Sequence, residues 1–236
     1  MAPSTSKSAF WAGFRASAPF LVVVAPFAML FGVLATEAGL NLFEVMAFTI
    51  VVIAGAAQFT ALQLMQENAP VLVVLTSALI VNLRMAMYSA SITPYLGQTP
   101  FWTRALAAYF LVDQSYAVSH EKYETTPDMT QSERIAYFFG TVAPICPMWY
   151  VFTLVGALVG QQIPETWAMD FVIPIAFLAL IGPMLRTPAH MAAALTAIVV
   201  ALATAWVPYS LGLVFGGVAG MMAGAQTELW IERRKA

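Results

Sequence analysis

The sequence predicts an all-α, polytopic transmembrane helical bundle of about eight spans, with broken helices and a weak internal repeat. Three observations carry this expectation. Of 236 residues, 61% are hydrophobic and 9% are charged, whereas soluble domains carry about 25% charged residues. Long uncharged stretches approach the roughly 20 apolar residues that one helical crossing needs. Lysine and arginine also segregate among the connections, as they do when a chain is oriented in a bilayer.

The first segment, Ser17–Thr36, has no charge. The second, Val45–Met65, carries two glutamines and no charge, and Asn41 with Glu44 before it has the spacing of a helix-starting capping box. The third runs from Pro70 to about Ile92 and holds Asn82 and Arg84; the fourth, Phe101–Val118, holds Arg104 and Asp113. The fifth, Ile135–Val159, contains Pro144 and Pro147. Three short segments crowd into Asp170–Gln226, separated by Pro188 and Pro208. With the N-terminus in the cytoplasm, eight spans place Lys7, Arg15, Lys122, Arg134, Arg186, Arg233, Arg234 and Lys235 inside. Arg84 and Arg104 are then left toward the outer side. Both termini are expected in the cytoplasm; seven spans would expose Arg233–Lys235 outside, against the charge rule. The N-terminal region does not read as a cleaved signal peptide, because its apolar run leads straight into further spans.

The chain reads as one integral membrane domain, 1–236. A first repeat-like half, 17–119, is joined by a polar cytoplasmic loop, 120–134, to a second half, 135–226. APFLVVVAPFAMLFGVLA from Ala18 resembles APICPMWYVFTLVGALVG from Ala143, and FEVMAFTIVVIAG ending at Gly55 resembles DFVIPIAFLALIG ending at Gly182. Internal repeats with a substrate site between them are common in secondary transporters; chance likeness among apolar helices is the alternative.

Several function classes are poorly supported. A net charge of −2 gives no basic surface for nucleic acid. Cys146 is the single cysteine, which excludes an internal disulfide or a cysteine metal cage, and its apolar surroundings mark it as a buried thiol. His120 and His190 are not spaced as metal ligands. No nucleophile elbow, phosphate loop or dinucleotide fingerprint is present, so no enzyme, metal or cofactor is expected.

Polar groups at membrane depth are costly and therefore informative. Asp113, in YFLVDQSYAVS, is a candidate proton carrier, because leaving water favours a carboxylate's neutral form; it is equally a structural partner for Arg84 or Arg104. VNLRMAMYSAS, Val81–Ser91, is dense in polar side chains. Arg84 there can grip a carboxylate with its two-pronged guanidinium, or snorkel to the interface. Twelve apolar or small residues precede the Asn82–Arg84 pair, about half a membrane thickness, so the third helix is expected to break there and to line a substrate path with Asn82, Arg84 and Tyr88. In AGAAQF, Gln58 offers both donor and acceptor, for substrate or for a neighbouring helix. Pro26, Pro144, Pro147, Pro174 and Pro183 are candidate helix breaks or simple kinks. Gly216, Gly220 and Gly224 form a close-packing face for the chain's own bundle or for a partner.

Taken together, GFRASAP at Gly13, PFAMLFGVLA at Pro26, AGAAQF, NLRMAMYSAS, DQSYAVS at Asp113 and DFVIPIAFLALIGPML at Asp170 resemble the AzlC family over nearly the whole chain. Family members usually have Asp-Glu where this chain has Asp113-Gln114, so one carboxylate of any two-carboxylate relay is missing. The resemblance implies an inner-membrane exporter of branched-chain amino acids, and sometimes methionine. It further implies coupling to the proton gradient and obligate pairing with a small AzlD-type membrane subunit. The rival readings are a channel-like permease of other small solutes and a non-transporting scaffold subunit. Burying a methylene is worth about 0.8 kcal/mol. An aliphatic pocket of this kind rejects alanine by about 2–3 kcal/mol but hardly separates leucine, isoleucine, valine and methionine.

Overall fold

A computed structural model describes residues 5–161, 185, 187–207 and 211–235. The chain forms two compact units, residues 1–63 with 78–163, and 64–77 with 164–236. Three helical stretches among the described residues are long and apolar enough to cross a membrane: Ser6–Glu37, Val71–Leu96 and Gln131–Gly160.

The first unit is organised around a pair of parallel helices. One member is α1 (Ser6–Ser17), a 3₁₀ turn at Ala18–Phe20 and α2 (Leu21–Glu37); the other is α8 (Gln131–Gly160). Glycines let the two backbones touch. A Cβ on Gly13 would lie 2.3 Å from the Tyr137 carbonyl oxygen, and one on Gly140 would lie 2.1 Å from that of Phe10. Further along, a Cβ on Gly32 would lie 2.1 Å from the Thr153 carbonyl oxygen, and one on Gly156 would lie 2.0 Å from that of Met29. Each contact is reciprocal, and both partners advance in the same direction. The look-alike stretches 18–35 and 143–160 thus lie side by side; the matching stretch 170–182 lies outside the described residues. Neither Pro26 in α2 nor Pro144 and Pro147 in α8 interrupts its helix. Gly156→Val is expected to destabilise the fold by about 1–3 kcal/mol, since overpacking forces the backbones apart. An unchanged thermal midpoint in detergent would contradict this contact.

With α8 as a ruler, the remaining helices of this unit can be placed by depth. The near end is that of the α1 and α8 N-termini. Helix α3 (Leu42–Val51) starts at the far end, after the capping box expected at Asn41: Glu44 Oε2 accepts from Asn41 N at 2.8 Å and Asn41 Oδ1 from Glu44 N at 3.0 Å. At mid-height Trp149 Nε1 donates to Thr49 Oγ1 at 2.8 Å. The helix ends there, and α4 (Gly55–Gln66) follows after three non-helical residues. Gly55 abuts Phe27 and Trp149, while the Phe59 ring sits 4.8 Å from Phe27 and 5.6 Å from Phe31. Phe31 also meets Phe48 of α3, at 5.6 Å. A helix continuing straight would separate Phe48 from Phe59 by about 16 Å. The chain therefore turns back at the break, and α4 climbs α2 toward the far end.

Helices α6 (Phe101–Tyr109) and α7 (Asp113–Thr125) make the opposite hairpin. Helix α6 enters from the near end, where Arg104 Nη1 donates to Gly97 O at 3.1 Å. It reaches mid-height, where the Tyr109 hydroxyl donates to Ile50 O and lies 2.8 Å from the Tyr150 hydroxyl. Helix α7 then returns, and the Tyr123 hydroxyl donates to Arg134 O at 2.7 Å beside the start of α8.

Several expectations are corrected here. The second and fourth segments each break and reverse halfway, so neither is one continuous helix, and the expected count of about eight spans is not confirmed. The third helix, α5 (Val71–Leu96), is continuous through Asn82–Arg84: Arg84 is paired by Asp113, and no backbone hydrogen bond is given up. The polar segment 120–134 is helical up to Thr125 and again from Gln131, leaving 126–130 as the connection. Arg104 joins the near end with the N-terminal region, Lys122 and Arg134, not the opposite side. Cys146 is fully buried, as its surroundings suggested.

In the second unit, α9 (Pro188–Ala203) and α10 (Leu211–Lys235) pack closely together. The Gly216–Gly220–Gly224 face meets this chain's own α9. Cβ atoms there would stand 2.7 Å from Ala197 O, 2.7 Å from Ala193 O and 3.0 Å from Ala193 Cβ. The face is thus occupied within the chain and gives no support to a partner site. Asp170, Pro174, Pro183, Arg186 and Pro208 lie outside the described residues.

Candidate functional site

The tips of the two hairpins come together halfway along α8, through Tyr109 and Ile50. Asp113 is the first residue of α7. The break before it is closed by Ser115, whose hydroxyl accepts from Val112 N at 2.9 Å and donates to Phe110 O at 2.9 Å. Continuous α5 runs alongside and supplies the counter-charge: Arg84 Nη2 lies 3.1 Å from Asp113 Oδ2. Arg84 therefore pairs with Asp113, one of the two roles its position allowed, while Arg104 is held at Gly97.

The pair is neither fully buried nor saturated. Its side chains are 36% and 40% exposed, and Arg84 Nε and Asp113 Oδ1 form no hydrogen bond. Each member thus keeps a free polar atom. A charged pair at membrane depth must face protein or water, and the two atoms without a hydrogen bond are themselves buried.

Beside the pair, the Tyr88 hydroxyl is turned toward Asp113. Its ring stacks on Tyr116 with centroids 4.1 Å apart and planes 8° from parallel. The Tyr116 hydroxyl donates to Ser91 Oγ at 3.0 Å. Arg84, Tyr88, Ser91 and Tyr95 follow helical spacing on one face of α5, and Asp113, Tyr116, His120 and Glu124 do so on α7. That matched spacing was present in the sequence. Reading 120–134 as loop concealed it and hid His120 and Glu124.

Asn82 and Gln58 are not drawn into this cluster by hydrogen bonds. In an unbroken helix Asn82 lies about 200° around the axis from Arg84, and its buried Oδ1 has no partner. Gln58, in the first turn of α4, is fully buried, and both its amide atoms lack hydrogen bonds. No group of three or more metal-ligating side chains occurs among the described residues.

The AzlC protein family profile matches residues 19–163, which include both hairpins and the Arg84–Asp113 pair. An uncharacterized membrane protein of Archaeoglobus fulgidus is 30% identical over 206 residues, 85% of this chain and 87% of that protein. An uncharacterized membrane protein of Helicobacter pylori is 27% identical over 154 residues, 64% of this chain and 65% of its own length. The inner membrane protein YgaZ of Escherichia coli is 23% identical over 183 residues, 75% of this chain and 74% of that protein. No solved structure matches.

Proposed function

Because the chain belongs to the AzlC family, we propose that it is the large subunit of a secondary transporter that exports branched-chain amino acids in exchange for protons. The observation that carries this reading is the Arg84–Asp113 pair, set at a re-entrant tip with an unused polar atom on each side chain. A zwitterionic amino acid complements an opened ion pair, its carboxylate on Arg84 and its ammonium on Asp113. Protonating Asp113 removes the ammonium's anchor, so proton and substrate compete. Competition for one site is the condition for exchange, and an inward proton gradient then drives export.

Tyr88 would border the ammonium position. Asn82 and Gln58, with buried unpaired amide atoms, are the remaining candidates for contact with substrate. The near end holds Arg104, Lys122 and Arg134, which by the charge rule makes it the cytoplasmic face. A small AzlD-type subunit completes the transporter, and the α9–α10 glycine face is not its docking site.

Reconstitution into lipid vesicles tests the reading. With the small subunit present, an imposed pH gradient is expected to drive leucine, isoleucine, valine and methionine at rates within about tenfold of one another. Alanine should be disfavoured by about 30-fold or more, from its missing methylenes. Absence of any leucine movement, with or without a gradient, would point instead to a scaffold. Movement of unrelated solutes at equal rates would point to a channel.

A further inference from the structure

We propose that His120 and Glu124 form the proton exit from Asp113 to the near face, a relay separate from the path taken by the substrate. The inference rests on the transporter reading above and adds a function for residues that reading leaves unused. Asp113, Tyr116, His120 and Glu124 descend α7 turn by turn from mid-height to its near end. The His120 ring lies 5.2 Å from Tyr116 and 6.0 Å from Tyr95. At the end of the file the Tyr95 hydroxyl donates to Glu124, and the Arg134 guanidinium sits over the Tyr95 ring, 5.5 Å from its centroid. Imidazole titrates near neutrality and can take a proton on one nitrogen while releasing one from the other. Waters bridge polar groups that do not touch directly.

The charged and titratable groups around His120 come from every packed element. Tyr95 and, further back, Arg84 lie on α5; Tyr116, Glu121, Lys122, Tyr123 and Glu124 lie on α7; Glu133, Arg134 and Tyr137 lie on α8. Helix α1, also packed on α7, bears Lys7 and Arg15. Glu124 is the acceptor at the mouth, and Arg134 balances its charge across Tyr95. In each turnover a proton leaves the Asp113 carboxyl and one arrives on His120 through the Tyr116–Ser91 hydroxyls and water. The second ring nitrogen releases a proton to Glu124 and then to the near-side solution. Asp113, again ionised, re-forms its bond to Arg84. One proton enters and one leaves, and no covalent bond between heavy atoms changes.

Two assays on the complete transporter in vesicles separate the relay from the substrate site. Leucine counterflow at equal pH needs no net proton movement, whereas gradient-driven leucine transport does. His120→Gln is expected to keep counterflow within about twofold of the unsubstituted protein and to lower gradient-driven transport at least tenfold. Added imidazole should restore part of the loss in His120→Ala. Glu124→Gln should show the same split more weakly. Tyr95→Phe, which keeps the ring, should leave counterflow intact and serve as the packing control. A parallel fall of both activities in His120→Gln, or no fall in either, would overturn the relay. Failure of the unsubstituted transporter in both assays would instead defeat the transporter reading, and the relay with it.

Discussion

Asp113→Asn is expected to abolish gradient-driven transport and to flatten its dependence on pH. Asparagine is nearly isosteric and can still accept a hydrogen bond from an ammonium group, but it carries no titrating proton. Counterflow should persist, with apparent leucine affinity lowered about tenfold or more, because a hydrogen bond to a charged group is worth about 1.5–3 kcal/mol. The sign is definite. Competition requires the unsubstituted protein to bind substrate well when Asp113 is ionised and to lose it as pH falls. In Asp113→Asn the affinity should be low and the same at both ends of the range. A variant that retains the full pH dependence would assign Asp113 to a purely structural ion pair.

The second large effect belongs to Arg84. Lysine keeps the charge but not the planar fork with which a guanidinium released from Asp113 grips a substrate carboxylate through two bonds. Arg84→Lys should therefore fold and lose about tenfold or more in leucine affinity. Arg84→Met is more severe, because it strands Asp113 at membrane depth, where an unpaired charge costs roughly 2.5–3.5 kcal/mol. Combining Arg84→Met with Asp113→Asn should recover expression and thermal stability while leaving transport absent. If Arg84→Lys transports with unchanged affinity, the fork is not used for binding, and Arg84 serves only to neutralise Asp113.

The sequence contained the class of molecule and narrowed the partner of Asp113 to Arg84 or Arg104, because both follow from what a bilayer tolerates. Few charges meant lipid, and two opposite charges within apolar runs meant a partner or a function. It misled on where helices break. Asn82 and Arg84 looked disruptive by polarity, yet α5 passes through them intact because side-chain polarity can be met by a partner such as Asp113. The breaks fall instead at Val52–Ala54 and Phe110–Val112, which are apolar and have no local signal in composition. Their stabilising contacts are distant in sequence: Trp149 to Thr49, and Tyr109 to Ile50 and Tyr150. Reversal of direction was equally hidden, since a window of apolar residues has the same hydropathy whether it crosses or turns back. Arg104 shows the consequence. It stood out against the charge rule only while the second segment was taken as a crossing; because that segment turns back, α5 runs toward the near end and delivers Arg104 to the face that holds Lys122 and Arg134.

The Gly216–Gly220–Gly224 spacing was legible as a close contact, but spacing alone does not identify the other surface. Ala193 and Ala197, small residues on α9, accept those glycines, and their fit can be recognised only once α9 and α10 are seen together. The i, i+3, i+7, i+11 file on α7 was likewise visible in the letters and became a feature only when the helix was found to extend to Thr125.

The central claim is that leucine and a proton compete for the Arg84–Asp113 pair, and proton release on binding tests it most directly. Leucine is added to the purified transporter in weakly buffered detergent solution, over a series of pH values, with a pH indicator present. Competition predicts that leucine expels protons, that the release grows as the starting pH is lowered into the range where Asp113 is partly protonated, and that Asp113→Asn shows none. By linkage, leucine affinity must then fall with acidification over the same range. Proton uptake on leucine binding, or release undiminished in Asp113→Asn, would contradict the account.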